Sequence, residues 1–451
     1  MKDIQEYLNE NQQEMLEVLE NLISFPSTQR DKEGDYPFGE PVAKCLDYAL
    51  KVCDDYGFKT KNLDYYAGFG EIGQGKEVIG IAGHLDIVPE GTGWDSDPFV
   101  MTIKDEKMFG RGSSDNKGPT VAALFAVKYL LDNDVPLNKR IRMIFGCNEE
   151  SGMDCVKYYL EKEGHFDIGF SPDGPFPCCF GEKGIINFTL TADNNIFTNI
   201  SGGVARNVVP ESCELGIKAE LVDKTKLEEY LKDSPLLDFS IDIKDDILNL
   251  KVNGRAAHAS TPELGINSIS YALCALKAAG AQDAVLDEFV EKINTSFNGD
   301  GADVHLKDQY GDLTFNVGLV ELVDDKIVLT IDIRCPFTYD NDVVIDGVNK
   351  AFSMFTVGNI NSSPGLYHPE DSDIVQMFTS TYNEVMNCDE KPVSMGGGTY
   401  ARIFNNTLAF GPSDKKTDDT HIHDANEFMR IETLMKCCEI YIKTIIKMLE
   451  L

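Results

Sequence analysis

The chain has 451 residues, enough for two or three domains with large buried cores, and its composition is that of a soluble globular protein, 42% hydrophobic and 26% charged. The charge balance is less ordinary: 75 acidic against 41 basic residues leave a net charge of -34, a surface that repels nucleic acid and anionic membrane and makes both poor partners. No run approaches the ~18 apolar residues of a membrane span, and the opening MKDIQEYLNENQQ lacks the apolar core of a signal peptide.

In chain order, Ile4, Leu8, Met15, Leu19, Leu22 and Ile23 recur at helical spacing, and Pro26 follows the helix end. A second helix is predicted from about Pro41 to Tyr56. Glu77 to Ala82 is a short apolar run that reads as a buried strand ending at Gly83-His84. Gly118-Pro119 opens a helix through TVAALFAVKYLLDN, with Pro119 at the favoured first position. Strands follow at Arg140 to Phe145, just before Glu149-Glu150, and at Phe166 to Phe170, just before Asp173. Strand–helix–strand order with candidate chemistry at the carboxyl ends of strands predicts an α/β domain built on a mostly parallel sheet.

The texture changes near residue 185. Ile185 to Ala192, Glu214 to Leu221 and Ile247 to Val252 alternate like half-exposed strands. Helices are predicted at about Asn267 to Ala279 and Gln282 to Ile293, then strands at Thr314 to Leu319 and Lys326 to Ile333. This is an α+β insert of domain size. From about Glu370 the chain reads as helix, then GGGT at Gly396 to Thr399, a strand at Thr407 to Phe410, a polar loop, and a long closing helix. The expected organisation is a catalytic domain split into residues 1–184 and 370–451, with a two-block lid at 185–369. The 12 cysteines show no CxxC spacing, and the adjacent pairs Cys178-Cys179 and Cys437-Cys438 are badly placed to bridge one another. They read as reduced thiols of a cytoplasmic protein.

Five elements between positions 84 and 423 each follow a predicted strand or a glycine turn: His84-Leu85-Asp86, Asp115 in GRGSSDNKGP, Glu149-Glu150, Asp173 in SPDG, and His423 in HIHDANE. Alone, each has a commoner explanation. An HxD is usually structural, an acidic pair usually a solvated face, and an Asp before a helix usually a cap. Together and in this order they match a site for two divalent ions, which needs a carboxylate touching both. Asp115, fixed in its glycine-rich turn, suits that bridge. His84 and Asp173 can complete one metal, Glu150 and His423 the other, with His421 competing for the last place. Asp86 would orient the His84 imidazole through its second ring nitrogen. Glu149 is left as the general base, and later the acid toward the leaving amine.

GHLDIVPEG, GWDSDPF, GRGSSDNKG, EESG, SPDG and HDANE resemble the hallmark segments of the co-catalytic zinc peptidases, a superfamily that includes aminoacylase, succinyl-diaminopimelate desuccinylase, carnosinase and bacterial dipeptidases. The resemblance spans nearly the whole chain. ARNVVP at Ala205 to Pro210, AHAS at Ala257 to Ser260, DIRCP at Asp332 to Pro336 and GGGTYAR at Gly396 to Arg402 make it most similar to the dipeptidase V branch. It implies a phosphorylase/hydrolase-like catalytic domain and two divalent ions per chain, zinc foremost, with Mn²⁺ or Co²⁺ as alternatives. His84, Asp115 and Asp173 would hold one ion and Asp115, Glu150 and His423 the other, with a cis peptide between Asp115 and Asn116. It further implies Glu149 as base and His258 as the group that holds the oxyanion. Asn207, Arg334, Gly398 and Thr399 would bind the substrate; Asn207 and Arg334 would hold its free carboxylate. The insert length resembles the branch in which one chain supplies its own lid and works as a monomer. The activity implied is hydrolysis of dipeptides. An N-acyl amino acid deacylase would share every metal ligand, and a non-catalytic metal-binding scaffold would be expected to lack Glu149 or a ligand.

Overall fold

In the computed structural model, which describes residues 2–414 and 419–451, the chain forms two compact units. The first comprises Met1–Phe180, His368–Val393 and Thr399–Leu451; the second comprises Gly181–Tyr367 and Ser394–Gly398. The glycine segment at 394–398 thus joins the second unit, whereas a split at residue 370 would leave it in the first. Its main chain explains why: Lys183 donates its amide to Met395 O, and Arg334 Nη1 donates to Gly396 O.

In the first unit, helix Ile4–Ile23 is capped by the Asp3 carboxylate, which accepts the Glu6 amide, and it buries Leu8, Met15, Leu19, Leu22 and Ile23 on one face. Helix Lys117–Asp132 starts one residue before the predicted Gly118 and is buried nearly all round. It lies against Ile4–Ile23 and the closing helix Ile431–Glu450. The sheet path runs Lys59–Leu63, Ala67–Gly73, Arg140–Gly146, Val78–His84, Ile168–Ser171, Thr407–Ala409. The last four of these strands are mutually parallel, but Ala67–Gly73 pairs antiparallel on both sides and the sheet continues past Ala409 with Cys179 antiparallel to it, so the sheet is mixed rather than mostly parallel. Val78–His84 is buried at every position, the pattern of a central parallel strand. The carboxyl ends of the parallel strands lead directly to His84, Glu149-Glu150 and Asp173.

The second unit is an eight-stranded antiparallel sheet in the order 238–244, 247–253, 212–218, 197–202, 314–323, 326–335, 184–193, 356–363. Helices Lys224–Asp233, Ser268–Ala278, Ala284–Lys292 and Asn341–Ala351 share its core with Phe188, Leu215, Leu250, Phe315 and Ile331. Ile247–Asn253 alternates buried and exposed positions, as a sheet with one covered face requires. None of the twelve cysteines is joined in a disulfide. Among the described residues no helix is long and apolar enough to cross a membrane.

One buried carboxylate ties this unit together. Glu288 accepts the amides of Ser353, Met354 and Phe355 and the Ser353 hydroxyl, at 2.6–3.2 Å. Burial alone would raise its pKa, but these donors outweigh burial and hold it below the usual carboxylate range. A depressed folded-state pKa stabilises the fold above the unfolded value of about 4.3, and that contribution is lost as the pH falls through the folded value. Glu288→Gln is therefore expected to lose about 1–3 kcal/mol at neutral pH. The difference from the unaltered protein should shrink below pH ~4. Equal destabilisation at pH 7 and pH 3 in denaturant titrations would show that these donors do not need the charge.

Candidate metal centre

The histidine and acidic elements spread over 340 positions of sequence meet inside the first unit (84 to 423, inclusive). His84 ends its strand with a side chain 1% exposed, its Nε2 3.0 Å from Asp115 Oδ1 and 3.8 Å from Asp173 Oδ2. The other oxygen of Asp115 faces a second imidazole. Oδ2 lies 3.1 Å from His423 Nε2, and Glu150 Oε2 lies 3.3 Å from the same nitrogen. Asp115 thus presents one oxygen to each histidine. Two triplets can each gather ligand atoms within 4.8 Å of one another: His84, Asp115 and Glu150, and His84, Glu149 and Asp173. Glu149 therefore stands as close to the centre as the proposed ligands do.

The local sequence accounts for this placement. Gly112 has φ +87°, and a Cβ on Gly118 would stand 2.1 Å from Ser113 O, so the GRGSSDNKG turn needs glycine at both positions. The peptide between Asp115 and Asn116 is cis. The Asn116 side chain accepts the His84 amide and the Thr120 hydroxyl and donates to Pro172 O, linking three of the site's loops. In HIHDANE, His421, His423 and Asn426 all have φ between 57° and 67°, the left-handed region that non-glycine residues rarely occupy. Such backbone concentrates at functional sites.

Asp86 works differently from the sequence expectation. His84 Nδ1 is 2.9 Å from the main-chain carbonyl of Asp86 and 3.6 Å from its carboxylate. The carbonyl can only accept, so Nδ1 carries a proton and Nε2 is left to face Asp115 and Asp173. The carboxylate of Asp86 instead accepts the amides of Glu149, at 3.0 Å, and Glu150, at 3.1 Å, and so sets the acidic pair.

Burial and the neighbouring charges perturb Glu149, Glu150, Asp115 and both imidazoles. Burial, then the charge of Asp173, pushes Glu149 well above the ordinary range; burial, then Asp115, raises Glu150. Burial works against ionisation of Asp115, but hydrogen bonds from His423 and His84 outweigh it and hold its carboxyl low. Burial likewise opposes charge on the imidazoles, yet their acidic partners raise His84 strongly and His423 to about 11. Four carboxylates, the shared Asp115 among them, carry more negative charge than the two imidazoles can neutralise. That donor set fits two divalent cations of hard-to-borderline character.

The geometry also separates the two histidines of HIHDANE. His421 is exposed, its ring beside Phe428 at 6.1 Å between centroids, while His423 meets Asp115 and Glu150. His423→Ala is expected to weaken metal binding and remove most activity, and His421→Ala to be much milder. Equal metal loss in the two variants, measured by elemental analysis after dialysis, would contradict that assignment.

Of the remaining sequence candidates, Thr399 belongs to the first unit and Asn207, His258, Arg334 and Gly398 to the second. Val208 bridges to His258, and Asn207 O accepts the Ala259 amide, so the Asn207 and His258 segments run side by side. His258 is exposed, and its Nδ1 accepts the Ser260 amide at 3.2 Å and lies 2.7 Å from Ser260 Oγ. An amide can only donate, so the ring proton sits on Nε2, which becomes a donor. Arg334 is buried and paired with Asp332, Nε to Oδ1 at 2.7 Å and Nη2 to Oδ2 at 3.1 Å, with Nη1 turned to Gly396 O. Gly398 closes the glycine segment of this unit. Thr399 is buried in the first unit, where its hydroxyl accepts the Ala401 amide and caps the turn Tyr400–Arg402.

Three residues with evident roles lie inside the quoted motifs but draw no notice as letters. Tyr400 is fully buried beside the His84 ring, 6.3 Å between centroids, with its hydroxyl 3.0 Å from Cys155 Sγ. Arg111 and Glu427 form a buried pair at 2.8 Å directly beneath the Asp115 turn. A charged residue within a motif was the only available signal for that pair.

The sequence profile described as "Peptidase family M20/M25/M40" matches residues 80–447. The chain is 32% identical over 99% of its length to "Putative dipeptidase YtjP" of Bacillus subtilis (strain 168), of which it covers 96%. It is also 32% identical over 98% of its length to SAB1611c of Staphylococcus aureus (strain bovine RF122 / ET3-1), which carries the same description and is covered to 98%. Solved structures that share the fold include human carnosine dipeptidase 1, with TM-score 0.58, 16% identity and 99% of each chain covered. Another is the di-peptidase Dug1p from Saccharomyces cerevisiae, with TM-score 0.59 and 14% identity, covering 98% of this chain and 97% of that one. The hallmark segments, their convergence on Asp115 and a full-length match to these relatives lead to one assignment: the chain belongs to peptidase family M20/M25/M40.

Proposed function

We propose that this protein is a metal-dependent dipeptidase that hydrolyses short peptides with a free carboxyl terminus at a centre of two divalent ions, zinc foremost. The observation that carries the reading is the placement of Asp115, one carboxylate oxygen to His84 and the other to His423. His84, Asp115 and Asp173 would hold one ion, and Asp115, Glu150 and His423 the other. Bound cations would supply Lewis acidity to the scissile carbonyl and acidify the attacking water. Glu149, held by the Asp86–amide contact, takes that water's proton and later returns it to the leaving amine. His258 offers its Nε2–H to the oxygen that becomes negative in the transition state. Asn207, with Gly398 and Thr399, would shape the place of the substrate's carboxylate. Arg334, its guanidinium oriented by Asp332, would hold that carboxylate together with Asn207. The lid would restrict substrates to short peptides, and the chain would act as a cytoplasmic monomer.

The test is a panel of free dipeptides and their N-acetyl forms, run on metal-free protein reloaded with Zn²⁺, Mn²⁺ or Co²⁺. Uptake of two ions and hydrolysis of the free dipeptides is expected. Cleavage of only the acylated forms would make the protein a deacylase, and uptake without any cleavage would leave it a metal-binding scaffold.

A further inference from the structure

The pair beneath the Asp115 turn carries an inference about how the centre is held. Glu427 is fully buried and accepts four hydrogen bonds. Oε2 takes Arg111 Nη1 at 2.8 Å and the Gly112 amide at 3.0 Å; Oε1 takes the Ser114 amide at 2.9 Å and the Asp115 amide at 3.0 Å. All four partners are donors, so the ionised carboxylate is the form that this pocket fits. The same segment is laced to the turn twice more, by the Gly110 amide to Glu427 O and the Ser114 hydroxyl to Phe428 O. Arg111 in turn donates to Pro89 O and Glu90 O and lies 5.2 Å from the ring of Trp94, the only tryptophan of the chain.

The consequence lies in which residues this carboxylate joins. Asp115, whose amide it receives, presents an oxygen to each histidine. His423 stands four positions before Glu427 in the segment where His421, His423 and Asn426 have positive φ. Turn and stretch are more than 300 positions apart in sequence and contribute the shared ligand and one histidine to the same centre. We propose that Glu427 is a positioning residue for the metal centre: it locks the Asp115 turn to the His423 stretch, so that cation affinity depends on it and not stability alone. This rests on the two-metal reading above. Groups behind the ligands commonly change metal affinity by ~10–100-fold when removed, because misaligned ligands bind less well. Glu427→Gln substitutes an NH₂ for one acceptor and turns it toward N–H groups that need an oxygen.

The test uses the full chain, stripped of metal and titrated with Zn²⁺ against a chromogenic chelator, alongside thermal unfolding of the metal-free protein. Glu288→Gln is the control: it removes a similarly buried carboxylate that accepts three main-chain amides, in the second unit and with no tie to the metal turns. Glu427→Gln is expected to bind Zn²⁺ about 10–100-fold more weakly, while Glu288→Gln keeps the affinity of the unaltered protein despite a lower unfolding temperature. Arg111→Lys, which keeps the charge but not the fork that reaches Glu427, should show a smaller loss of the same sign, with altered Trp94 emission. Wild-type affinity in a folded Glu427→Gln protein would overturn the proposal, as would an equal loss in Glu288→Gln. Should Glu427→Gln not fold, wild-type affinity in Arg111→Lys overturns it. An unaltered protein that takes up fewer than two ions brings down the two-metal reading itself, and this proposal with it.

Discussion

Glu149→Ala is expected to keep both metal ions while kcat falls by ~10²–10⁴-fold, the usual span for loss of a positioned general base. The geometry makes this a demanding test. Glu149 can gather with His84 and Asp173 within 4.8 Å, so position alone would also allow it to be a ligand. The two roles separate on metal content. A base is lost without loss of an ion, whereas a ligand takes its ion with it and activity returns only with excess metal. Glu149→Asp refines the result, because it keeps the carboxylate but withdraws it by one methylene. A base should recover only part of the activity in that variant. Elemental analysis showing one ion per chain in Glu149→Ala would place Glu149 among the ligands and leave the proton transfer without an owner.

The acidic pair also shows what a linear reading can and cannot reach. Strand ends and glycine turns pointed to His84, Asp115, Glu149, Glu150, Asp173 and His423 because each follows an interruption in hydrophobic patterning. The partners of these groups were hidden, since a carboxylate's partners are set by the folded main chain. Asp86 spends its carboxylate on the amides of Glu149 and Glu150, 63 and 64 positions away, and orients His84 through its carbonyl. No spacing rule predicts that exchange. Glu427 receives donors 312 to 316 positions distant.

The same holds for the fold. The buried parallel strands and the long helices stood out by their period. The strands Lys59–Leu63 and Ala67–Gly73 did not, because AGFGEIG carries glycine where a strand usually carries a β-branched residue. Packing explains those glycines. A Cβ on Gly68 would come within 3.0 Å of Leu46 and Leu50, and one on Gly70 within 2.9 Å of Cys53. The helix Lys224–Asp233 escaped for the opposite reason: only Leu227 and Leu231 are buried in it, too few to mark a period.

His258→Ala is the second large effect expected: both ions retained, the fold intact, and activity lower by ~10²–10³-fold, as for deletion of one oxyanion donor. The Ser260 amide on Nδ1 fixes the tautomer that makes Nε2 a donor, so Ser260→Pro, which removes that amide, should also lower kcat, though by less. The role asks a residue of the second unit to act on chemistry held by the first, so closure should form part of each turnover and viscosity should slow the unaltered enzyme more than the crippled one. Placing this histidine and the metals in one working chain has a further consequence. Activity per chain should not change on dilution, and a mixture of His258→Ala with His84→Ala should remain inactive. Recovery of activity in that mixture would mean that the histidine reaches the metals of another copy. The monomer reading would then fall, while the donor role of His258 would stand.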